Sequence, residues 1–335
     1  MKLSPDQLAQ RLAASLGGDL IDTEEGSLAE HAVDGVTPKL ICTPATAEQL
    51  ATAVRICAEA QATIAPWGGG TAMGLGNPPR ALDVVIKTIR LNRVIEHDPA
   101  NLTVTVQSGI TLNALPIALA PEKQFIPFDP PLPQRSTIGG IVAANLNGPR
   151  RASYGSVRDL VIGMKVVLAS GEIIKAGGKV VKNVAGYDMC KLFTGSLGTL
   201  GIITETTLRV APIPAHAATV IVSGTIANTT ECATLLAHTK LLPTSTFLLN
   251  PGAAAPWQLA VGFDGFAETV TRQVKDLGKL AQRLGMTQQI IDREKQRQYW
   301  QAIADLPVSQ DRLVYRLTVA RGAVTQTIAT IADWT

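Results

Sequence analysis

Apolar positions recur along this chain at two periods, and the switches between them mark its elements. Leu8, Leu12 and Leu16 stand four residues apart behind Ser4 and Pro5. That predicts an amphipathic helix over 4–16 with a serine cap and a first-turn proline. Leu40–Cys42 reads as a short strand closed by Thr43-Pro44. Thr46 and Gln49 have the spacing of a capping box, and Leu50, Ala53, Val54 and Cys57 supply the apolar face of the helix behind it. Residues 62–65 form the next strand, so the region reads as a βαβ unit. Strands are expected over 82–86, 94–97 and 102–107. The last alternates apolar and polar side chains, as a half-buried strand does, and Gly109 ends it. A helix to about Ala120 follows, with Asn113 as its cap, because Pro116 requires a late start.

Further on, 161–169 and 172–176 flank Ser170-Gly171 as a hairpin with a two-residue turn. A strand over 202–210 stops at Pro212 and Pro214. The texture then changes to strand 217–224, helix 226–238, strand 257–263, a helix from about 265 to 285, and strand 312–320. With a boundary near 212–217, the chain reads as a domain over 1–212 and a smaller α+β domain over 213–335.

Glycine interrupts this periodicity in three places. Pro66-Trp67-Gly68-Gly69-Gly70-Thr71 follows a strand directly. Glycine reaches positive φ freely and leaves the main chain bare, and consecutive amides can converge into a nest for an anion such as a pyrophosphate. Read alone, the loop is equally a surface turn. Ligands in open α/β sheets do bind at the carboxyl ends of strands. No G-x-G-x-x-G occurs here and no helix-forming run follows, which excludes a Rossmann fingerprint. Gly178-Lys179-Val180 and Gly278-Lys279-Leu280 both lack the Ser or Thr of a P-loop. The second segment is Ser136-Thr137-Ile138-Gly139-Gly140, running on to Asn145; the third is Gly195-Ser196-Leu197-Gly198-Thr199-Leu200-Gly201-Ile202-Ile203-Thr204.

Composition narrows the field. Of 335 residues, 46% are hydrophobic and 17% charged, so cores fill easily. Aromatics at 4% argue against stacking platforms for single-stranded nucleic acid, and a net charge of +3 is too slight for a general nucleic-acid binder. The charge is uneven: from Arg150 to Lys191 eight basic residues face three acidic ones, a local excess of +5 suited to an anionic ligand or an acidic partner surface. Cys42, Cys57, Cys190 and Cys232 form no CxxC pair, so this chain is not expected to hold an iron–sulfur cluster or zinc. His31, His97, His216 and His238 lack metal-ligand spacing and read as ordinary polar residues. The N-terminus shows no apolar signal region and no run is long enough to span a bilayer. A cytoplasmic protein is expected, associated with a membrane only through a complex.

In that order and spacing, the three glycine segments resemble the FAD-binding domain of the vanillyl-alcohol oxidase (PCMH) type, over about residues 35–212. Lys182-Asn183-Val184-Ala185-Gly186-Tyr187-Asp188 and Tyr315-Arg316-Leu317 are similar to the FAD-binding subunits of bacterial glycolate oxidase. The resemblance implies an α+β, two-subdomain PCMH-type fold followed by a smaller α+β cap domain. It implies that Pro66, Trp67, Gly68, Gly69, Gly70 and Thr71 form the pyrophosphate loop. Thr137, Gly139 and Gly140 would lie near the isoalloxazine, Gly201, Ile202 and Ile203 would touch the flavin through backbone groups, and Asn145, Gly148 and Tyr154 would line the same groove. With no histidine beside Thr71, the FAD is expected to be non-covalent. Arg316 is the candidate clamp for a substrate carboxylate. The implied activity is oxidation of a small 2-hydroxy acid, glycolate first, with electrons passed to a homologous flavoprotein subunit and an iron–sulfur subunit. The alternative is a non-catalytic, electron-relaying subunit. Many relatives end in an Asn-Pro-Gly-Arg-like tail, whereas Asn250-Pro251-Gly252 lies mid-chain here and the sequence stops at Asp333-Trp334-Thr335, so either a shortened second domain or a different closure is expected.

Overall fold

A computed structural model describes residues 3–178, 187–252, 254–308, 317 and 319–332. Two compact units emerge: one contains 1–147 and 155–212, the other 148–154 and 213–335. Gly148–Tyr154, expected in the first domain, groups with the second unit.

The first unit holds two sheets. In the smaller, the order is Ile21–Asp22, Leu40–Cys42, Val84–Lys87, Ile64–Trp67. Val84–Lys87 lies between the two strands of the βαβ reading and runs parallel to both. The helix Ala47–Glu59 makes the crossover and buries Leu50, Ala53, Val54 and Cys57 against Leu40, Val84 and Ile86. Thr46 caps it, while the Gln49 side chain accepts from the Ala45 amide. The first helix, Pro5–Leu16, has its capping box on Ser4 and adds Leu8 and Leu12 to the same core. Ile64–Trp67 is therefore an edge strand, and the first glycine loop leaves from its carboxyl end.

One buried carboxylate fixes the other end of that strand. Asp83 is 4% exposed. Its Oδ1 accepts from Lys39 Nζ at 2.7 Å, and its Oδ2 accepts from the Thr63 amide and hydroxyl, each at 3.0 Å. Burial pushes this carboxyl up, but the Lys39 bond and the two Thr63 bonds outweigh it and hold the pKa at about 2, below the usual 3.8. A lowered carboxyl pKa stabilises the fold above the unfolded value, and that contribution is lost as pH falls through the folded value. Asp83→Asn should therefore cost about 2 kcal/mol at neutral pH and flatten the loss of stability between about pH 4 and 2. Urea melts across that range would show it; parallel wild-type and variant curves would refute it.

The larger sheet is antiparallel, in the order Val94–Asp98, Thr103–Gln107, Ile202–Arg209, Val161–Val167, Ile173–Gly177. Its hairpin turn is longer than expected. Leu168 pairs with Glu172 and the Gly171 amide returns to the Leu168 carbonyl, leaving a three-residue loop with Gly171 at φ +81. The helix placed at 113–120 also differs: Leu112–Ala114 is a 3₁₀ turn and Leu115–Leu119 the α-helix, so Asn113 lies inside a turn and caps nothing. Ile138–Ala144 is a helix that its two glycines hide in the sequence. It packs Ile138, Ile141 and Val142 into the core of this sheet.

The second unit is a four-stranded antiparallel sheet, ordered Ser245–Leu249, Trp257–Gly265, His216–Gly224, Thr287–Ile291. Ile226–Leu236 and Ala267–Arg283 share one core with it through Cys232, Leu236, Val270, Leu277 and Leu280. On Ala267–Arg283 the buried Gln273 is satisfied by the Leu242 amide at 2.7 Å. Arg293–Asp305 contributes Ile303, Tyr299 and Trp300 to a separate cluster with Ile221 and Ala260, and Trp300 Nε1 donates to Thr219 Oγ1 at 2.9 Å. The strand expected over 312–320 falls largely outside the described residues.

Candidate functional site

The groove in the first unit is walled by segments far apart in the chain. Ile64–Met73, Leu75–Asn77, Thr88, Thr137, Gly139, Gly140, Leu197–Thr199 and Gly201–Ile203 all line it. Pro66, Trp67, Gly68, Gly69, Gly70, Thr71, Thr137, Gly139, Gly140, Gly201, Ile202 and Ile203 thus come together. Asn145 is not among its lining residues. Asn145 closes the helix Ile138–Ala144 at φ +48. Gly148 and Tyr154 belong to the second unit. There the Tyr154 hydroxyl donates to Asp264 Oδ2 at 3.4 Å. Burial raises the Asp264 pKa, with Arg150 and the Tyr154 and Thr244 hydrogen bonds working against it. Arg316 and the stretch 182–186 lie outside the described residues.

The first loop shows what its glycines do. A Cβ on Gly69 would fall inside the Arg135 carbonyl, and one on Gly68 would fall on the Thr137 side chain. Gly70 sits at φ +70, with a Cβ position 2.8 Å from the Trp67 ring. These glycines let the loop lie flat on residues 135–137, which is a demand of the protein's own packing. Further bonds hold the contact: Thr71 Oγ1 meets Ser136 Oγ at 3.0 Å, and Arg135 Nη2 donates to the Gly69 carbonyl at 3.4 Å. Leu197 Cδ1 would lie 3.4 Å from a Cβ on Gly76, and the Leu197 amide donates to the Ala143 carbonyl at 2.8 Å, so the third segment closes against the first and second.

The groove lining is itself neutral, and the loop carries the Arg135 guanidinium on its Gly69 carbonyl. Among the described residues, the amides of Gly68, Gly69, Gly70 and Thr71 donate to no protein acceptor, and all four residues are half-buried, open to a ligand. Among the described residues no side chain lining the groove is ionisable, so none of them sets a carboxylate against a phosphate. The residues therefore fit a pyrophosphate cradle. The lining includes no His and no Cys. His31 packs its ring on Trp67, centroids 4.8 Å apart, and its Nδ1–H donates to the Ser27 carbonyl at 2.8 Å. All four cysteines are free and buried, and burial pushes the Cys42 and Cys57 thiols up to about 12. No metal-binding group occurs among the described residues, and none of their helices is long and apolar enough to cross a membrane.

Arg135, Thr88 and Leu197 were not singled out from the sequence. Thr88 has no local signal. Leu197 holds φ +55, a left-handed conformation unusual for a branched side chain, and nothing in its neighbours announces it.

A mixed α+β fold with a neutral, amide-bearing groove suits the pyrophosphate of a bound nucleotide. Residues 38–177 match the FAD binding domain family, and FAD is the cofactor that this match supports. The chain is 41% identical over 177 residues to "Glycolate oxidase subunit GlcD" of Bacillus subtilis, covering 53% of this chain and 38% of that protein. It is 38% identical over 209 residues to "D-lactate dehydrogenase" of Anaerostipes hadrus, covering 62% and 43%. It is 38% identical over 148 residues to "Glycolate oxidase subunit GlcE" of Escherichia coli, covering 44% and 42%. The matched stretches thus span about two fifths of those relatives' lengths. Among solved structures, p-cresol methylhydroxylase superposes with a TM-score of 0.73 at 20% identity, over 90% of this chain and 68% of that one, which is likeness of fold.

Proposed function

We propose that this chain is the FAD-binding subunit of an oxidoreductase for small 2-hydroxy acids, with glycolate as the favoured substrate. The observation that carries the reading is the set of four undonated amides, from Gly68 to Thr71, in a groove whose described lining carries no charged side chain. FAD, when bound, supplies the hydride acceptor. The chain's residues hold the cofactor: the loop amides take the pyrophosphate, and Thr137, Gly139, Gly140 and Gly201–Ile203 set the flavin end. The complex is proposed to be non-covalent, since no histidine stands beside Thr71 in the sequence. Arg316 remains the proposed carboxylate clamp on chemical grounds, since a guanidinium matches a carboxylate bidentately. A homologous flavoprotein subunit and an iron–sulfur subunit are the proposed partners; similarity to both glycolate oxidase subunits favours such an assembly.

The same similarity favours a second reading, a subunit that binds FAD and relays electrons without oxidising the substrate. One experiment separates the two. The purified chain should carry a flavin spectrum. Anaerobic glycolate should bleach it, and D-lactate and 2-hydroxyglutarate serve as comparators. Bleaching only in a reconstituted complex would favour the relay, and a colourless protein that takes up no added FAD would overturn both.

A further inference from the structure

Segment 131–137 is more than a support for the glycine loop: it decides which atom of Thr71 can face a phosphate. Ser136 is 1% exposed. Its hydroxyl donates its one proton to the Pro131 carbonyl at 2.8 Å, and a carbonyl can only accept. Ser136 Oγ must therefore be the acceptor in its 3.0 Å contact with Thr71 Oγ1, so the Thr71 proton points inward. The relay runs in one direction, from Thr71 to Ser136 to Pro131. It ends on a rigid turn, because the Arg135 and Ser136 amides both donate to the Leu132 carbonyl, at 2.9 and 2.8 Å, and the Ser136 carbonyl accepts from the Leu112 amide at 3.0 Å.

We propose that Ser136 is a positioning residue for the cofactor, and that Thr71 meets the pyrophosphate through its backbone amide and not its hydroxyl. The hydroxyl's work is internal: it pins the last residue of the cradle so that four amides share one anion. An oxygen whose proton is already committed offers a phosphate only lone pairs, and would repel it if it faced the groove. The inference rests on the pyrophosphate lying at Gly68–Thr71.

The test is a double-mutant cycle read by titrating apoprotein with FAD, with ADP as competitor. Thr71→Val and Ser136→Ala should each weaken FAD about 3- to 10-fold, the effect of one hydrogen bond. The double variant should be no weaker than the poorer single one, because both remove the same relay. Thr71→Ser should bind as the wild type, and melting temperatures of all four should confirm that the fold persists. Multiplying effects, or a Ser136→Ala protein with unchanged affinity, would overturn the relay and assign the Thr71 hydroxyl to the phosphate. Weakened FAD binding with unaltered competition by ADP would instead overturn the placing of the pyrophosphate at this loop.

Discussion

Purified Gly69→Ala protein should be colourless, and purified Gly74→Ala protein yellow. The two glycines stand five residues apart in one loop and look interchangeable in the sequence. They differ in what surrounds them. A Cβ at Gly74 meets nothing within 4 Å, whereas one at Gly69 would lie inside the Arg135 carbonyl. A main-chain atom cannot rotate aside as a side chain can, so the loop must lift from residues 135–137. Lifting it would displace the four amides proposed to hold the pyrophosphate. Charge-assisted bonds contribute about 1.5–3 kcal/mol each, so losing two would weaken FAD on the order of 100-fold or more. Absorbance of the purified proteins and FAD titration of their apo forms are the measurements, with circular dichroism as the check on folding. A folded Gly69→Ala protein that keeps its flavin would show that the cradle is elsewhere.

Gly109→Ala should damage the fold itself. Here the added Cβ would coincide with the Thr88 carbonyl and come within 2.8 Å of the Leu91 carbonyl, which already accepts from the Gly109 amide at 2.7 Å. The contact joins the end of Thr103–Gln107, in the larger sheet, to the residues just after Val84–Lys87, in the smaller one. Both sides are main chain, so relief requires the two sheets of the first unit to part. We expect a loss on the order of 4 kcal/mol and a fall of about 10 °C in Tm, or insoluble protein. A soluble variant melting within about 2 °C of the wild type would contradict the close approach.

These two glycines also show where sequence reading stops. Glycine after Thr103–Gln107 was legible as the end of an alternating run; that it touches Thr88 is a fact of tertiary structure. The first helix was legible because its cap, proline and leucine spacing agree. Ala267–Arg283 was legible for its apolar stripe. Thr287–Ile291 was not: four of its five residues are exposed, so no burial alternation marks it. Ile138–Ala144 escaped because glycine and alanine carry no period, although its cap, Thr137, was in plain view. The groove was legible only as three glycine segments whose convergence the family resemblance implied. Nothing local predicts that Arg135 meets Gly69, because 66 residues separate them.

The seven residues from Gly148 to Tyr154 impose an order of assembly. They are spelled out between two stretches of the first unit, yet they pack with the second. The acceptor of the Tyr154 hydroxyl, Asp264, lies 110 residues downstream. At a synthesis rate of 5–20 residues per second, roughly ten seconds pass between the two leaving the ribosome. During that interval the first unit can complete both sheets while this short stitch waits, its neighbours not yet made. The second unit must then form around a piece of chain already anchored at both ends. A break after Pro212 would therefore leave the C-terminal half without seven residues of its own unit.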